Sequence, residues 1–174
     1  MKFFIPFALV LFFVSCEKSE SKPRVISNEI IESFCSETGF DAVYVVDTSL
    51  LNSVKAWQGQ GDYPGVYKWT TAKIPNSFDL YGGLPGQSEY YTIGSTLTAA
   101  DTLQKTYWES LQVKENLQYG YRPMVGVFEM HDTLVVALAK TLANPQYGEG
   151  GAWQIYVKDF AEDLTVFDTV YLKK

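Results

Sequence analysis

From Asp41 to Leu172 the chain is cut into short apolar or alternating runs by glycine, proline and Asx turn signals. Runs of that length favour strands over long helices, and a series of them demands sheets with a shared core. "DAVYVVD", residues 41–47, is continuously apolar and reads as a buried strand. "GVYKWTTAKI", residues 65–74, alternates Val66, Lys68 and Thr70 against Tyr67, Trp69 and Thr71. "EYYTIG", residues 89–94, is a short strand after a loop containing Gly82, Gly83, Pro85 and Gly86. "RPMVGVFEM" (122–130) and "LVVALAK" (134–140) read as a hairpin turned at Asp132 and Thr133, with His131 in the turn. Trp153 to Val157 and Leu164 to Leu172 supply two more strands.

Helical spacing is confined to fewer places. Ile30, Ile31, Phe34 and Cys35 share a face in residues 27–40, with Ser27 or Asn28 as cap and Gly39 as stop. "TSLLNSVKAWQGQG" (48–61) fits a short helix capped by Thr48, and "TAADTLQKTYWESLQV" fits one starting near Ala99. The sum is an α+β domain with a β-rich second half, without internal repeat or coiled-coil heptad.

The first 26 residues are of another kind. "MKFFIPFALVLFFVSC" pairs Lys2 with an apolar run from Phe3 to Val14, well short of the ~20 residues a membrane span needs. Its end, Ser15-Cys16, resembles a bacterial lipoprotein signal, which implies cleavage after residue 15 and lipidation of Cys16. Residues 16–26 then form a polar tether, and residues 27–174 suit one domain with one core. The resemblance implies anchoring in a membrane and a place in the cell envelope. The expected form is an outer-membrane lipoprotein, periplasmic or surface-exposed. Acidic residues just after Cys16 resemble the surface-export signals of some bacterial groups.

Charge and rare residues exclude several functions. Losing Lys2 with residues 1–15 takes the formal net charge from −6 to −7. Arginine occurs only at positions 24 and 122. Nucleic acid binding needs basic patches that displace counterions, and this chain has none. With Cys16 lipidated, Cys35 is the last cysteine and forms no intramolecular disulfide. One histidine, His131, gives no Cys/His metal set. The motifs of serine hydrolases, zincins, P-loop proteins and dinucleotide-binding folds are missing.

Two glycine-led stretches remain, "DLYGGLPGQSEYYT" (79–92) and "ANPQYGEGGAWQIYV" (143–157). With "ESLQVK" (109–114) and "YGYRP" (119–123) they resemble the C-terminal domains of bacterial polymorphic toxins. They are also similar to the tuberculosis necrotizing toxin family of NAD glycohydrolases. That second resemblance implies an ADP-ribosyltransferase-like fold and NAD as substrate rather than cofactor. It implies catalytic roles for Gln154 near the ribose and Tyr90 against the nicotinamide. Gly82 falls on the glycine of the first motif, and Gly86 and Gly150 are further backbone approaches to the ligand. The family's phosphate-side arginine does not carry over, since Leu80 stands there; Arg122, or more weakly Lys68, replaces it. Glu149 is the carboxylate of related transferases. Gln154 also fits the solvent face of its strand, and Arg122 fits a pairing with Glu109 or Glu149. A non-enzymatic envelope binding module and an immunity-type lipoprotein facing a toxin are the other readings.

Overall fold

The computed structural model describes residues 28–56 and 68–174. The signal, Cys16 and the tether lie outside the described residues, as does the start of the run at residue 65.

Helix α1, Glu29–Thr38, starts at Asn28, whose side chain accepts a hydrogen bond from the Ile30 amide at 3.0 Å. It ends where Gly39 takes φ 73°, a left-handed conformation that costs glycine nothing. Ile31 and Phe34 face inward, and full burial of Phe34 contributes about 1.5–3 kcal/mol. Cys35 packs half-buried beside them, as a small apolar residue.

Strand β1 is only Val43–Tyr44, with Val43 64% and Val46 73% exposed, so the apolar run is an edge and not a buried strand. It pairs on one side only, with β2. Helix α2, Thr48–Lys55, is capped by Asp47, which accepts from the Leu50 amide at 2.8 Å. Thr48 is displaced as cap because a carboxylate also complements the positive end of the helix dipole.

The remaining elements are β2 Thr70–Ile74, β3 Leu80–Leu84, β4 Tyr90–Tyr91, α3 Gly94–Ala99 and α4 Gln104–Ser110. They are followed by β5 Met124–Met130, β6 Leu134–Lys140, β7 Trp153–Tyr156, α5 Phe160–Asp163 and β8 Leu164–Tyr171. The helix expected to start near Ala99 begins only at Gln104, as α4; α3 ends at Ala99, and Asp101 and Thr102 between them adopt φ 48° and 57°. Gly82 and Gly83, expected in a loop, lie inside β3.

All pairings between these strands are antiparallel. One sheet has the order β1-β2-β6-β7-β4 and the other β3-β5-β8. The expected hairpin of β5 and β6 does not form: β5 pairs with β3 and β8, and β6 with β2 and β7. Both strands are buried along most of their length, so each takes the middle of a sheet and residues 131–133 cross between sheets. His131 is tied down there, its amide on the Asp163 carbonyl and its Nε2 2.6 Å from Thr165 Oγ1.

The main core fills the space between the sheets. Ala72, Ile74, Val136, Leu138 and Ile155 meet Leu80, Phe128 and Met130 there, with α1 closing one end. Leu50 and Val54 of α2 cover the other face of the large sheet against Ala137, Ala139 and Tyr156. Tyr107, Trp108 and Leu111 pack with Val125 and Leu172 against the small sheet. The sheets meet at a corner where Tyr81 and Thr92 exchange backbone hydrogen bonds of 2.9 and 2.8 Å. Among the described residues no helix is long and apolar enough to cross a membrane.

Candidate functional site

A cavity of about 930 Å³ opens beside that corner. β3 and β4 form one wall, Tyr107 and Trp108 of α4 another, and the segment from Leu111 to Arg122 the rim. Its size is at the upper end of the range for small-molecule sites. Tyr90, Arg122, Gln154 and Gly82 all line it, although they come from four separated places in the chain.

Strand alternation aims Gln154. Trp153 and Ile155 face the core between the sheets, so Gln154 and Tyr156 emerge on the opposite face. Gln154 stands across from Ala139, a neighbour too small to cover it. Tyr90 is the cross-strand partner of Tyr156, and their rings meet edge-on with centroids 5.3 Å apart. Burial, then Tyr156 and Glu89, push the Tyr90 phenol up to about 12. Burial does the same to Tyr91, also to about 12, partly opposed by a hydrogen bond from Gln87. Both are therefore neutral hydrogen-bonding groups near pH 7.

Arg122 is held by its backbone and by a glycine. Trp108 Nε1 donates to the Arg122 carbonyl at 2.7 Å, and Arg122 Nη1 donates to the Gly86 carbonyl at 3.3 Å. A Cβ at Gly83 would collide with Nη1, so the bare strand is what lets the guanidinium lie across β3. Arg122 pairs with neither Glu109 nor Glu149; Glu109 is 3.7 Å from Lys105 instead. Leu80, at the place where the NAD glycohydrolases carry arginine, is wholly buried in the core.

Not every expected residue joins this site. Gly150, at φ 66°, lines a separate cavity of about 340 Å³ with Gly151 and Glu37. A Cβ there would press on the Leu142 carbonyl at 2.5 Å, so this glycine serves close backbone packing and not the larger cavity. Gly86 meets the site only through Arg122. Neither Lys68 nor Glu149 lines the cavity; its carboxylates are Glu89 and Glu115. Among the described residues no group of three or more His, Cys, Asp or Glu could hold a metal ion.

Two features escaped the sequence reading. One is Tyr107, an unremarked aromatic on a helix. The other is a repeated pentapeptide, Asn-x-Gln-Tyr-Gly, at residues 116–120 and 144–148. Both copies close the same turn. Asn116 bridges Gly120 and Asn144 bridges Gly148, and each Asn side chain accepts from the amide two residues on, at 2.9 and 3.0 Å. Asx turns of this kind replace missing backbone partners locally. The first copy forms part of the cavity rim, with Tyr119 69% exposed and Leu117 fully so.

Residues 46–159, which hold every residue lining the larger cavity, match the model of the Rhs1 C-terminal toxin domain. The chain belongs to that family. A solved structure described as Rhs1-CT in complex with cognate immunity protein RhsI1 is similar at 28% identity and a TM-score of 0.69. That match covers 74% of this chain and 100% of the other. A comparison with curated proteins finds no match. The mixed, β-rich architecture of antiparallel sheets is thus that of an Rhs1 toxin domain. The chain's polymorphic-toxin character is established, while the likeness to NAD glycohydrolases stands on the motif residues alone.

Proposed function

We propose that this Rhs1-type toxin domain consumes NAD in the larger cavity. The observation that carries the reading is the convergence of Gln154, Tyr90 and Arg122 on one hollow of about 930 Å³. In the proposed reaction the bond between ribose C1′ and the nicotinamide nitrogen breaks. The electron pair leaves with nicotinamide through an oxocarbenium-like state. A water oxygen then bonds C1′ and gives its proton to solvent; a protein acceptor in place of water makes the reaction ADP-ribose transfer.

Each residue has a task set by its chemistry. Tyr90, half-buried and neutral, is the wall against the nicotinamide ring. Gln154 orients the ribose hydroxyls or the water without taking a proton. Arg122 meets the diphosphate as a permanent, delocalised cation, and Gly82 keeps β3 low beneath the ligand. Similarity to a toxin domain solved in complex with its cognate immunity protein supports a cognate protein partner for this chain as well. The family match also favours the toxin side of the pair over an immunity-type lipoprotein. In this reading the domain is carried at the cell envelope on a lipid at Cys16.

The test is nicotinamide release from NAD by purified protein, beside Gln154→Ala. Release by the native protein and a loss of about a hundredfold or more in the variant is the expected result. No release from the native protein removes NAD hydrolysis; the same measurement with a protein acceptor then decides between ADP-ribose transfer and the binding-module reading, in which the cavity holds a ligand without reaction.

A further inference from the structure

The cavity wall contains a buried phenol whose hydroxyl has no partner among the described residues. Tyr107 is wholly inaccessible to solvent, lines the cavity, and its Oη makes no hydrogen bond among the described residues. Leaving a buried hydroxyl unsatisfied is costly, and such groups in native folds call for an explanation. Packing does not supply one. The ring fits edge-on against Trp108, with centroids 4.8 Å apart, and phenylalanine would make the same contact without the orphaned oxygen.

We propose that the Tyr107 hydroxyl, covered in the ligand-free fold, is uncovered as a ligand enters the cavity and then donates a hydrogen bond to a ribose or phosphate oxygen of the ADP-ribose half of a dinucleotide. This rests on the NAD reading of the cavity and adds a binding residue to it. The side of the cavity decides which half. Trp108, against which Tyr107 packs, donates its indole N–H to the Arg122 carbonyl. The same indole and the Arg122 guanidinium both crowd the space over Gly83. Tyr107 thus belongs to the arginine side, whereas Tyr90 lies with Tyr156 on the large sheet. Burial, and to a smaller extent Tyr81, raises the Tyr107 phenol well above the ordinary tyrosine value. It therefore stays protonated and able to donate wherever the protein is folded. A neutral donor on the arginine side can help hold a diphosphate-bearing ligand without burying a charge.

Tyr107→Phe removes only the oxygen. Titration calorimetry with ADP-ribose, with melting temperature measured in parallel, tests the proposal. The expected result is binding by the native protein, affinity roughly tenfold or more weaker in the variant, and a melting temperature equal or higher. Equal affinity in both proteins overturns the assignment of Tyr107 and leaves the NAD reading standing. A lower melting temperature, or failure to fold, shows that the oxygen serves the free fold, and likewise overturns it. If the native protein binds neither ADP-ribose nor NAD, both readings fall together.

Discussion

Tyr119 and Tyr147 occupy the same place in the same five-residue turn, yet Tyr119 is 69% exposed and Tyr147 is 7% exposed. The second turn lies against α4, where a Cβ added at Gly148 would come within 2.6 Å of the Glu109 carbonyl; the first is part of the cavity rim. Tyr147→Ala should therefore cost about 2–4 kcal/mol of stability, as large-to-small changes at buried sites do. Tyr119→Ala should change stability by no more than about 0.5 kcal/mol. It should instead raise KM for NAD. Denaturant unfolding and steady-state kinetics on the two variants separate these roles, and equal unfolding midpoints would contradict the difference in burial.

Gly83 offers a way to move Arg122 without mutating it. A methyl there meets the end of the flexible arginine and the edge of Trp108. Gly83→Ala should stay folded while displacing the guanidinium from β3. Its KM for NAD should rise toward that of Arg122→Ala, for which loss of charged hydrogen bonding predicts about 10–100-fold. Gly82→Ala is a different case. Its methyl would lie 2.9 Å from the buried Tyr91 ring, so overpacking of about 1–3 kcal/mol should appear as lost stability.

Glu37 ties α1 to β6 and β7 of the large sheet. Its carboxylate is 2.6 Å from Lys140 Nζ, accepts from Ser33 Oγ at 2.7 Å, and accepts from Trp153 Nε1 at 3.2 Å. These contacts, the hydrogen bond from Lys140 foremost, hold its pKa below the ordinary 4.5. A depressed carboxylate contributes stability above its unfolded pKa and loses it as pH falls through the folded one. The side chain is 42% exposed, so the contribution is at most about 1 kcal/mol. Glu37→Gln should lower the urea midpoint near neutral pH, and the gap should close below 4.5. A gap that persists in acid would show that the pairing is not its source.

The buried phenols predict alkaline sensitivity. Tyr90 and Tyr91 titrate at about 12 in the fold against an ordinary 10. A group with a raised folded pKa adds stability below its unfolded value and loses it as pH rises toward the folded one. Native protein should thus begin to lose stability near pH 10, and Tyr90→Phe should blunt that loss. Melting temperature against pH for the two proteins measures the difference; parallel curves would place the phenol in solvent.

The ends of α1 and most strand positions were legible because they depend on neighbours in sequence. Asn28 and Gly39 bound α1 through contacts within a few residues, and the period-two run at 153–157 already put Gln154 opposite Trp153 and Ile155. The site was legible in residue type only. Gln154, Tyr90 and Arg122 could be singled out, but Gly150 looked equally qualified and Tyr107 did not stand out.

What local sequence determined about this protein, then, is its menu of elements, their caps and the face each side chain takes on its strand. Those follow from backbone sterics and from hydrogen bonds a few residues long. Tertiary structure alone decided that β5 and β6, adjacent in the chain, enter different sheets, because each is apolar on both faces and needs strands on both sides. It also decided that one Asn-x-Gln-Tyr-Gly turn buries its tyrosine and its twin is left at the mouth of a cavity. The two turns share four of five residues and the same Asx turn; the burial available around them differs, and only the assembled sheets and helices supply it.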